Sequence, residues 1–346
     1  MGEAIDVALE SLIKCVVALA MLMAAAGYLT LAERKILGRM QARYGPNRAG
    51  PLGLLQPLAD GIKLLLKEPV TPREVKLPVY LAAPAISLFV AIMAFAIVPI
   101  GPPFYLFGKW RYLTIANVNI GLLYLLAILS LGVYGIVLGA WSSSNRYSLL
   151  GGLRSSAQMI SYELSLGLAL IAVVLLAGTL SPIGIVQAQN HNLTWFVLLQ
   201  PIGFLLFVCG GFAETNRAPF DLAEAEQELT GGYHTEYAGM RFGLYFIAEY
   251  MNMFTVSALV ATLFLGGWVG IGNGILFTIT TAAPWAQLLG IFWFAVKVAA
   301  FLFFYIWIRA TLPRIRYDQL MWFGWKVLLP LSVLNMLVTA LYVSLS

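Results

Sequence analysis

Carboxylates inside and between apolar segments are the residues of this sequence best suited to proton chemistry. Glu163 and Glu249 lie within long apolar runs. Between two such runs lie Glu214, Asp221, Glu224, Glu226, Glu228 and Glu236. Ionisable groups within membrane spans are costly and usually face a wet cavity or a partner, and crowding of like charges raises a carboxyl pKa. The pattern predicts carboxylates that exchange protons near neutral pH. A solvated helix surface is the alternative for the acidic loop.

Cysteine and histidine are too scarce for redox chemistry. The chain has two cysteines and two histidines among its 346 residues, with no CxxC pair and no Gly-rich dinucleotide fingerprint. An iron–sulfur cluster usually needs four thiolates, and haem commonly needs an axial histidine. The sequence therefore predicts no metal site and no cofactor bound by this chain alone. Cys15 and Cys209 are interpreted as small buried hydrophobic residues.

The composition is that of a polytopic membrane protein. Hydrophobic residues make up 60% of the chain and charged residues 11%, with a mean hydropathy of +0.84. A soluble surface with so few charges would expose large apolar patches. Runs long enough to cross a bilayer fall near 12–32, 78–99, 118–140, 160–180, 195–212, 243–265, 286–308 and 327–345. We expect an all-α protein of about eight transmembrane helices, in one integral membrane domain over 1–346.

Lysine and arginine are distributed unevenly over the loops. Of the 21, seventeen lie in the loops 33–77, 141–159, 213–242 and 309–326. Only Lys109 and Arg111 lie on the opposite side, and Lys14 and Lys297 lie within spans. Cytoplasmic loops carry the excess of Lys and Arg, so both termini are expected on the outer side. The net charge of +5 is read as this orientation signal and not as a nucleic-acid surface.

The first cytoplasmic loop contains a two-faced segment. Apolar residues recur at helical spacing at Leu54, Leu55, Leu58, Ile62, Leu65 and Leu66, and polar residues follow at Gln56, Asp60, Lys63 and Lys67. The pattern predicts an amphipathic helix over about 52–67, too short and too charged to span a bilayer. It either rests on lipid head groups or covers a cavity entered from the bilayer, as a long-tailed substrate would need.

Several motifs resemble the signatures of one family. They are Leu31-Ala32-Glu33-Arg34-Lys35, Gly45-Pro46-Asn47-Arg48, Gly53-Leu54-Leu55-Gln56-Pro57-Leu58-Ala59-Asp60-Gly61, Lys67-Glu68-Pro69, Ser161-Tyr162-Glu163, Ala213-Glu214-Thr215-Asn216-Arg217-Ala218-Pro219-Phe220-Asp221 and Gly232-Tyr233-His234-Thr235-Glu236-Tyr237. They look like the H-type membrane component of NADH–quinone oxidoreductase, respiratory complex I, which is NADH dehydrogenase subunit 1 in mitochondria. The likeness runs from about residue 28 to 326 and extends into the final span. One departure is Ala223, where many members have proline; no acidic position is lost.

The resemblance implies a membrane component that forms part of a quinone chamber with two hydrophilic subunits, one carrying the terminal iron–sulfur cluster. It implies a proton path through Asp60, Glu163, Glu214, Glu224, Glu226, Glu228 and Glu249. It also implies a quinone tunnel at Arg34 and Arg43, to which the amphipathic helix would add Leu55, Leu58 and Ile62.

The resemblance further implies the partners and the location. Quinone is the expected substrate, iron–sulfur clusters and FMN are expected in partner subunits, and membrane-arm subunits are the expected neighbours. The expected location is the bacterial inner membrane with both termini periplasmic, and the mitochondrial inner membrane is the alternative.

Two other functions compete with this interpretation. One is the equivalent membrane subunit of a membrane-bound hydrogenase or a ferredoxin-driven relative, and the other is a stand-alone ion channel or transporter. The amphipathic helix and the long acidic loop (about 213–242) favour the quinone enzyme, and the sequence contains no gating motif of a self-sufficient transporter. We therefore predict a subunit that transfers no electrons itself and couples quinone reduction to proton translocation.

Overall fold

Long apolar helices make up most of the structure. The computed structural model describes residues 2–106, 109–191, 194–221, 231–270 and 284–345. Its helices are α1 (Gly2–Met40), α2 (Gln56–Leu66), α3 (Leu77–Phe95), α4 (Gly121–Ser142), α5 (Arg146–Ala177), α6 (Pro182–His191), α7 (Phe196–Leu199), α8 (Pro201–Glu214), α9 (Met240–Phe264), α10 (Pro284–Thr311), α11 (Tyr317–Phe323) and α12 (Leu329–Leu345). A short antiparallel pairing of β1 (Phe104–Leu106) with β2 (Lys109–Arg111) is the only sheet among these residues. The predicted all-α class is confirmed apart from this hairpin.

Seven of the described helical segments are long and apolar enough to cross a membrane. Six of them are α1, α3, α4, α5, α9 and α10, and the seventh is the continuous segment Tyr317–Leu345, in which a π-helical turn joins α11 to α12. They account for seven of the eight predicted spans.

The predicted fifth span is a broken helix. It consists of the four-residue α7 and the 14-residue α8, separated by Gln200 in a non-helical conformation (φ −134°, ψ 63°). Proline at the first position of α8 suits a new helix start, because its missing N–H would have no partner there. At 1.5 Å per residue, α8 is about 21 Å long, which is shorter than a bilayer's apolar core.

The predicted loop 141–159 is largely helical, so its assignment as a loop was wrong. The α5 helix begins at Arg146 and runs for 32 residues to Ala177. Asn145 caps its start, since its side-chain oxygen accepts a hydrogen bond from the Tyr147 amide at 2.9 Å. Hydropathy detects only the apolar part of this helix, whereas the cap stabilises the polar turns before it.

The α9 helix is the centre of the molecule. Within its most apolar window 72% of the residues are buried, against 22–50% in the other spanning helices. The other spanning helices therefore leave much of their apolar surface uncovered by the described residues. Cys15 lies exposed on α1 and Cys209 is half-buried, so the prediction that both are buried was wrong for Cys15.

A lysine within the membrane caps the end of α9. The Lys297 ammonium on α10 donates hydrogen bonds to the carbonyls of Leu265 at 2.5 Å, Gly267 at 2.9 Å and Val269 at 2.5 Å. Leu265 is the residue that caps α9 and the other two lie in the turn that follows it, so this cation gives hydrogen bonds to backbone carbonyls in an apolar environment. The sequence alone leaves Lys297 either as a counter-charge to a carboxylate or as a group reaching water.

The C-terminal part of the acidic loop is fixed against the helix ends. Tyr237 stacks on Tyr80 of α3 with ring centroids 4.2 Å apart, and the Tyr80 hydroxyl donates to the Glu236 carbonyl at 2.7 Å. The Glu236 carboxylate accepts a hydrogen bond from Asn145 at 2.6 Å. Burial lowers the pKa of His234 to about 4, so this imidazole is neutral at pH 7. These contacts anchor the loop at its C-terminal end.

Candidate functional site

The amphipathic helix α2 lies beside α1 and α9 without burying any of its residues. The turn before it, Pro51–Gly53, requires glycine at Gly53, where φ is 75° and a Cβ atom would lie 2.2 Å from the Pro46 carbonyl oxygen. Leu58 and Leu66 are both exposed. A helix with so much exposed leucine is only partly supported by its own chain, which leaves apolar surface available to a ligand, lipid or a partner.

A cavity of about 650 Å³ lies between α1, α2 and α9. Its walls are mainly apolar and include Met23, Ala26, Leu54, Leu55, Pro57, Leu58, Leu64, Leu65, Phe242, Phe246 and Ile247. Its polar lining comes from Tyr28, Thr30, Arg34, Asp60, Lys63 and Tyr250. Apolar walls with a few placed polar groups are typical of sites for small, largely apolar ligands.

Four of the residues predicted for the tunnel or the proton path, Arg34, Asp60, Leu55 and Leu58, line this cavity. Arg34 donates to Asp60 Oδ2 at 2.6 Å, and Gln56 donates to Asp60 Oδ1 at 3.0 Å. The other two predicted tunnel residues, Arg43 and Ile62, are not among the lining residues. Arg43 is exposed and donates to the Gln41 side chain at 2.8 Å, and Ile62 is exposed on α2.

An ionic cluster, buried except for the partly exposed Arg309, lies behind one wall of the cavity. Tyr250 lines the cavity and donates its hydroxyl proton to Glu33 Oε2 at 2.6 Å. Glu33 is 3% exposed and also accepts hydrogen bonds from Arg217, at 3.1 and 3.3 Å, and from Arg309. Arg217 Nε pairs with Glu249 Oε1 at 2.6 Å. We call these five residues the Glu33 cluster.

The Glu33 cluster is electrically balanced. It contains the two carboxylates Glu33 and Glu249 and the two guanidinium groups Arg217 and Arg309. Removing charges from water is costly unless they are paired and hydrogen-bonded. The planar guanidinium of Arg217 serves both carboxylates and lies 4.3 Å from the centre of the Tyr250 ring, a geometry that suits arginine better than lysine.

Sequence reasoning assigned no role to Glu33, Arg309 or Tyr250. Glu33 and Arg309 each lie at the end of an apolar run, where charged residues ordinarily mark the membrane boundary. Because 276 residues separate them, no local sequence pattern can reveal that they pair. Two features of the sequence point to Glu33: it lies within one of the family motifs, and it directly follows an apolar run.

The structure brings Glu163 and Glu214 together as a second acidic group. Glu214 is the last residue of α8 and is 5% exposed, and its Oε2 atom has no hydrogen-bond partner among the described residues. Glu163 on α5 is half-buried and close enough for its charge to act on Glu214. The charges of both Glu214 and Arg217 act on the buried hydroxyl of Tyr305 in α10. Tyr305 is therefore within electrostatic range of both this group and the Glu33 cluster.

Of the other acidic residues of the loop, Asp221 is largely buried, and three lie outside the described part of the chain. Asp221 pairs with Arg314 at 2.9 Å and is close enough to influence Glu249. Glu224, Glu226 and Glu228 lie in 222–230, outside the described residues. Over the described ranges, no group of three or more His, Cys, Asp or Glu side chains could hold a metal ion.

Comparison with known proteins identifies the family. The model of the NADH dehydrogenase family matches residues 13–340. The H-type component of NADH-quinone oxidoreductase from Protochlamydia amoebophila is 52% identical over 318 residues, covering 92% of this chain and 93% of that protein. The corresponding protein of Thermomicrobium roseum is 53% identical over 322 residues, and one from Koribacter versatilis is 48% identical over the whole of both chains. This chain therefore belongs to the NADH dehydrogenase family, together with these H-type components of NADH-quinone oxidoreductase.

Proposed function

We propose that this chain is the membrane subunit of a proton-translocating NADH:quinone oxidoreductase that binds quinone and couples its reduction to proton movement. The observation that carries the proposal is the position of Tyr250. Its side chain lines the apolar cavity, and its hydroxyl donates to Glu33 in the buried cluster. An event in the cavity therefore has a direct hydrogen-bonded connection to carboxylates inside the membrane domain.

The shape and lining of the cavity support a long-tailed substrate. Leucines of α2 and apolar residues of α1 and α9 supply walls for a hydrocarbon tail, and Arg34, Asp60 and Tyr250 supply polar groups for a head group. The hydrophilic partner subunits would complete the head-group site and carry the iron–sulfur clusters and FMN. This chain would hold the substrate and keep its tail out of water without transferring electrons.

Coupling follows from the electrostatics of the Glu33 cluster. Reduction of quinone beside Arg34 and Tyr250 places negative charge near the cluster or draws protons from it. A neutral cluster in an apolar environment is sensitive to such a change, because a nearby anion favours the protonated form of each carboxyl group. Arg217 and Tyr305 offer a route by which this electrostatic change reaches Glu214 and Glu163. Because these groups interact, their titration belongs to the set and not to single residues.

The alternative functions predict different surroundings. A hydrogenase-type relative would share the membrane fold without needing quinone, and a transporter would work without redox partners. The relatives compared above carry the name NADH-quinone oxidoreductase, which favours the quinone enzyme. Inhibition of the purified complex by quinone-site inhibitors separates the first two functions, and co-purification with flavin and iron–sulfur subunits excludes the third.

Replacing Glu214 with glutamine tests the coupling role. We expect NADH:quinone reductase activity and proton pumping to fall together by about tenfold, equivalent to about 1.4 kcal/mol of activation free energy, because a buried titrating group is lost. Electron transfer from NADH to a hydrophilic artificial acceptor should be unchanged, since that path avoids this chain. Both activities are measured in membranes with matched amounts of assembled complex.

The control for this test is Glu68→Gln, which neutralises an exposed carboxylate in the first loop and should leave both activities intact. Full quinone reduction with normal pumping in the Glu214→Gln variant would remove Glu214 from the mechanism. Loss of the assembled complex would instead favour an assembly role for the acidic loop.

The proposed orientation places both termini in the periplasm, and a labelling experiment tests it. In a variant whose two native cysteines are replaced by alanine, we expect Ser346→Cys to react with an impermeant maleimide added from the periplasmic side. Glu68→Cys in the first loop should react only after the membrane is opened, because the Lys/Arg bias places that loop in the cytoplasm. The reverse pattern would contradict the orientation.

A further inference from the structure

A cleft of about 340 Å³ lies between the broken fifth span and the last helix, separate from the cavity at α2. The residues that line it include no charged side chain. Its buried polar groups are Gln200, at the break between α7 and α8, with Asn335 and Thr339 of α12. Gln200 is 4% exposed and Asn335 is 8% exposed, so both amides are buried in an apolar part of the chain.

The hydrogen bonds fix the orientation of the Gln200 amide. Its nitrogen donates to the Ala172 carbonyl at 3.3 Å and to Thr339 Oγ1 at 2.6 Å. The Thr339 hydroxyl donates its own proton to the Asn335 carbonyl at 2.7 Å, so toward Gln200 it can only accept. Gln200 Oε1 is therefore left as an acceptor, and neither this atom nor Asn335 Nδ2 has a hydrogen-bond partner among the described residues.

These two atoms converge on one small space beside Gly203. A Cβ atom on Gly203 would lie 2.9 Å from Gln200 Oε1 and 3.1 Å from Asn335 Nδ2. Buried polar atoms are normally satisfied by protein or by a bound molecule. A group that completes this pair must donate one hydrogen bond and accept another. A hydroxyl does both, whereas an ester carbonyl only accepts and an ammonium group only donates.

The mouth of the cleft is apolar. It is formed by Leu198, which is 74% exposed, and by Val338 and Tyr342, which are exposed on α12. The cleft is many times larger than the roughly 30 Å³ that one water molecule occupies. A lone water molecule would therefore leave most of the cleft empty, whereas an occupant with an apolar body as well as a hydroxyl would fill it. On the orientation proposed above, Tyr342 near the end of α12 lies at the outer interface, where tyrosine is enriched and lipid glycerol groups are found.

We propose that this cleft binds a membrane lipid through a free hydroxyl group. The hydroxyl donates to Gln200 Oε1 and accepts from Asn335 Nδ2, and an acyl chain lies along Leu198 and Val338. Glycine at position 203 keeps the space open for the hydroxyl. This site is independent of the proposed quinone cavity, which lies between α1, α2 and α9.

Photolabelling of the whole purified complex tests the proposal. The probes are a diacylglycerol with a diazirine on one acyl chain and the same molecule with its hydroxyl converted to a methyl ether, which removes the hydrogen-bond donor and adds one methyl group. In wild type we expect labelling of peptides within 196–214 or 329–345 to be at least fivefold stronger with the free alcohol. Gly203→Ala should abolish this preference, because its methyl group occupies the space between the two amides.

Two further variants complete the test. Gly167→Ala is the matched control, since a Cβ atom there approaches its nearest neighbour only to 3.9 Å, and it should label like wild type. Asn335→Leu removes the side-chain amide that would donate to the hydroxyl and should also abolish the preference, which keeps the test valid if Gly203→Ala fails to assemble. Equal labelling by the two probes, no labelling, or an unchanged preference in an assembled Gly203→Ala variant would each overturn the proposal. A structure of the complex with a partner side chain or only water in the cleft would do so as well.

Discussion

Replacing Glu33 with leucine is expected to destabilise the folded subunit by about 3–5 kcal/mol, the cost of removing one partner from a buried ion pair. Glu33 receives hydrogen bonds from Arg217, Arg309 and the Tyr250 hydroxyl. Leucine would leave Arg309 without its buried counter-ion and Arg217 with Glu249 alone. The free energy of unfolding is measured by denaturant titration of the purified subunit in detergent micelles.

Two further variants test whether the loss of stability comes from the buried charge of Glu33. Asp318→Leu removes a carboxylate that is 73% exposed and lies 3.8 Å from Arg316, so it should change stability by about 0–1 kcal/mol. Glu33→Gln keeps a hydrogen-bond acceptor without the charge. Its loss of stability should therefore lie between those of Glu33→Leu and Asp318→Leu. If Glu33→Leu is no more harmful than Asp318→Leu, the cluster is not the buried ionic centre described above.

Enlarging Leu58 to tryptophan is expected to raise the KM for a long-tailed quinone by about tenfold, which corresponds to about 1.4 kcal/mol of lost binding. Leu58 lines the cavity between α1, α2 and α9, and an indole there would occupy space that the tail needs. A quinone with a short tail should be affected little. Steady-state kinetics of the assembled complex with both quinones measures the difference.

The control variant lies on the same helix. Ile62 is exposed on α2 and is not among the cavity-lining residues, so Ile62→Trp should leave both KM values near those of wild type. If Ile62→Trp and Leu58→Trp raise the long-tail KM equally, the tail does not follow this cavity. In that case the sequence-based prediction, which placed Ile62 on the tunnel, would be favoured.

The helical elements and the family could be predicted from the amino-acid sequence without a structure. Long apolar runs predict spanning helices because only helices satisfy backbone groups inside a bilayer, and seven of the eight predicted spans appear as long helices. The leucine stripe around Leu54 and Leu58 predicted an amphipathic helix that the structure contains at Gln56–Leu66. These features could be predicted from short stretches of sequence, because hydropathy and helical periodicity are visible within a few helical turns.

The pairing of polar groups inside the membrane emerges only when the helices are packed together. Glu33 pairs with Arg217 and Arg309 across 184 and 276 residues, and Lys297 donates hydrogen bonds to carbonyls at and just after the end of α9. The sequence could show that each charge needs a partner, because burying it alone is costly. It could not show which partner, since that depends on how the helices pack and on which side chains then face each other.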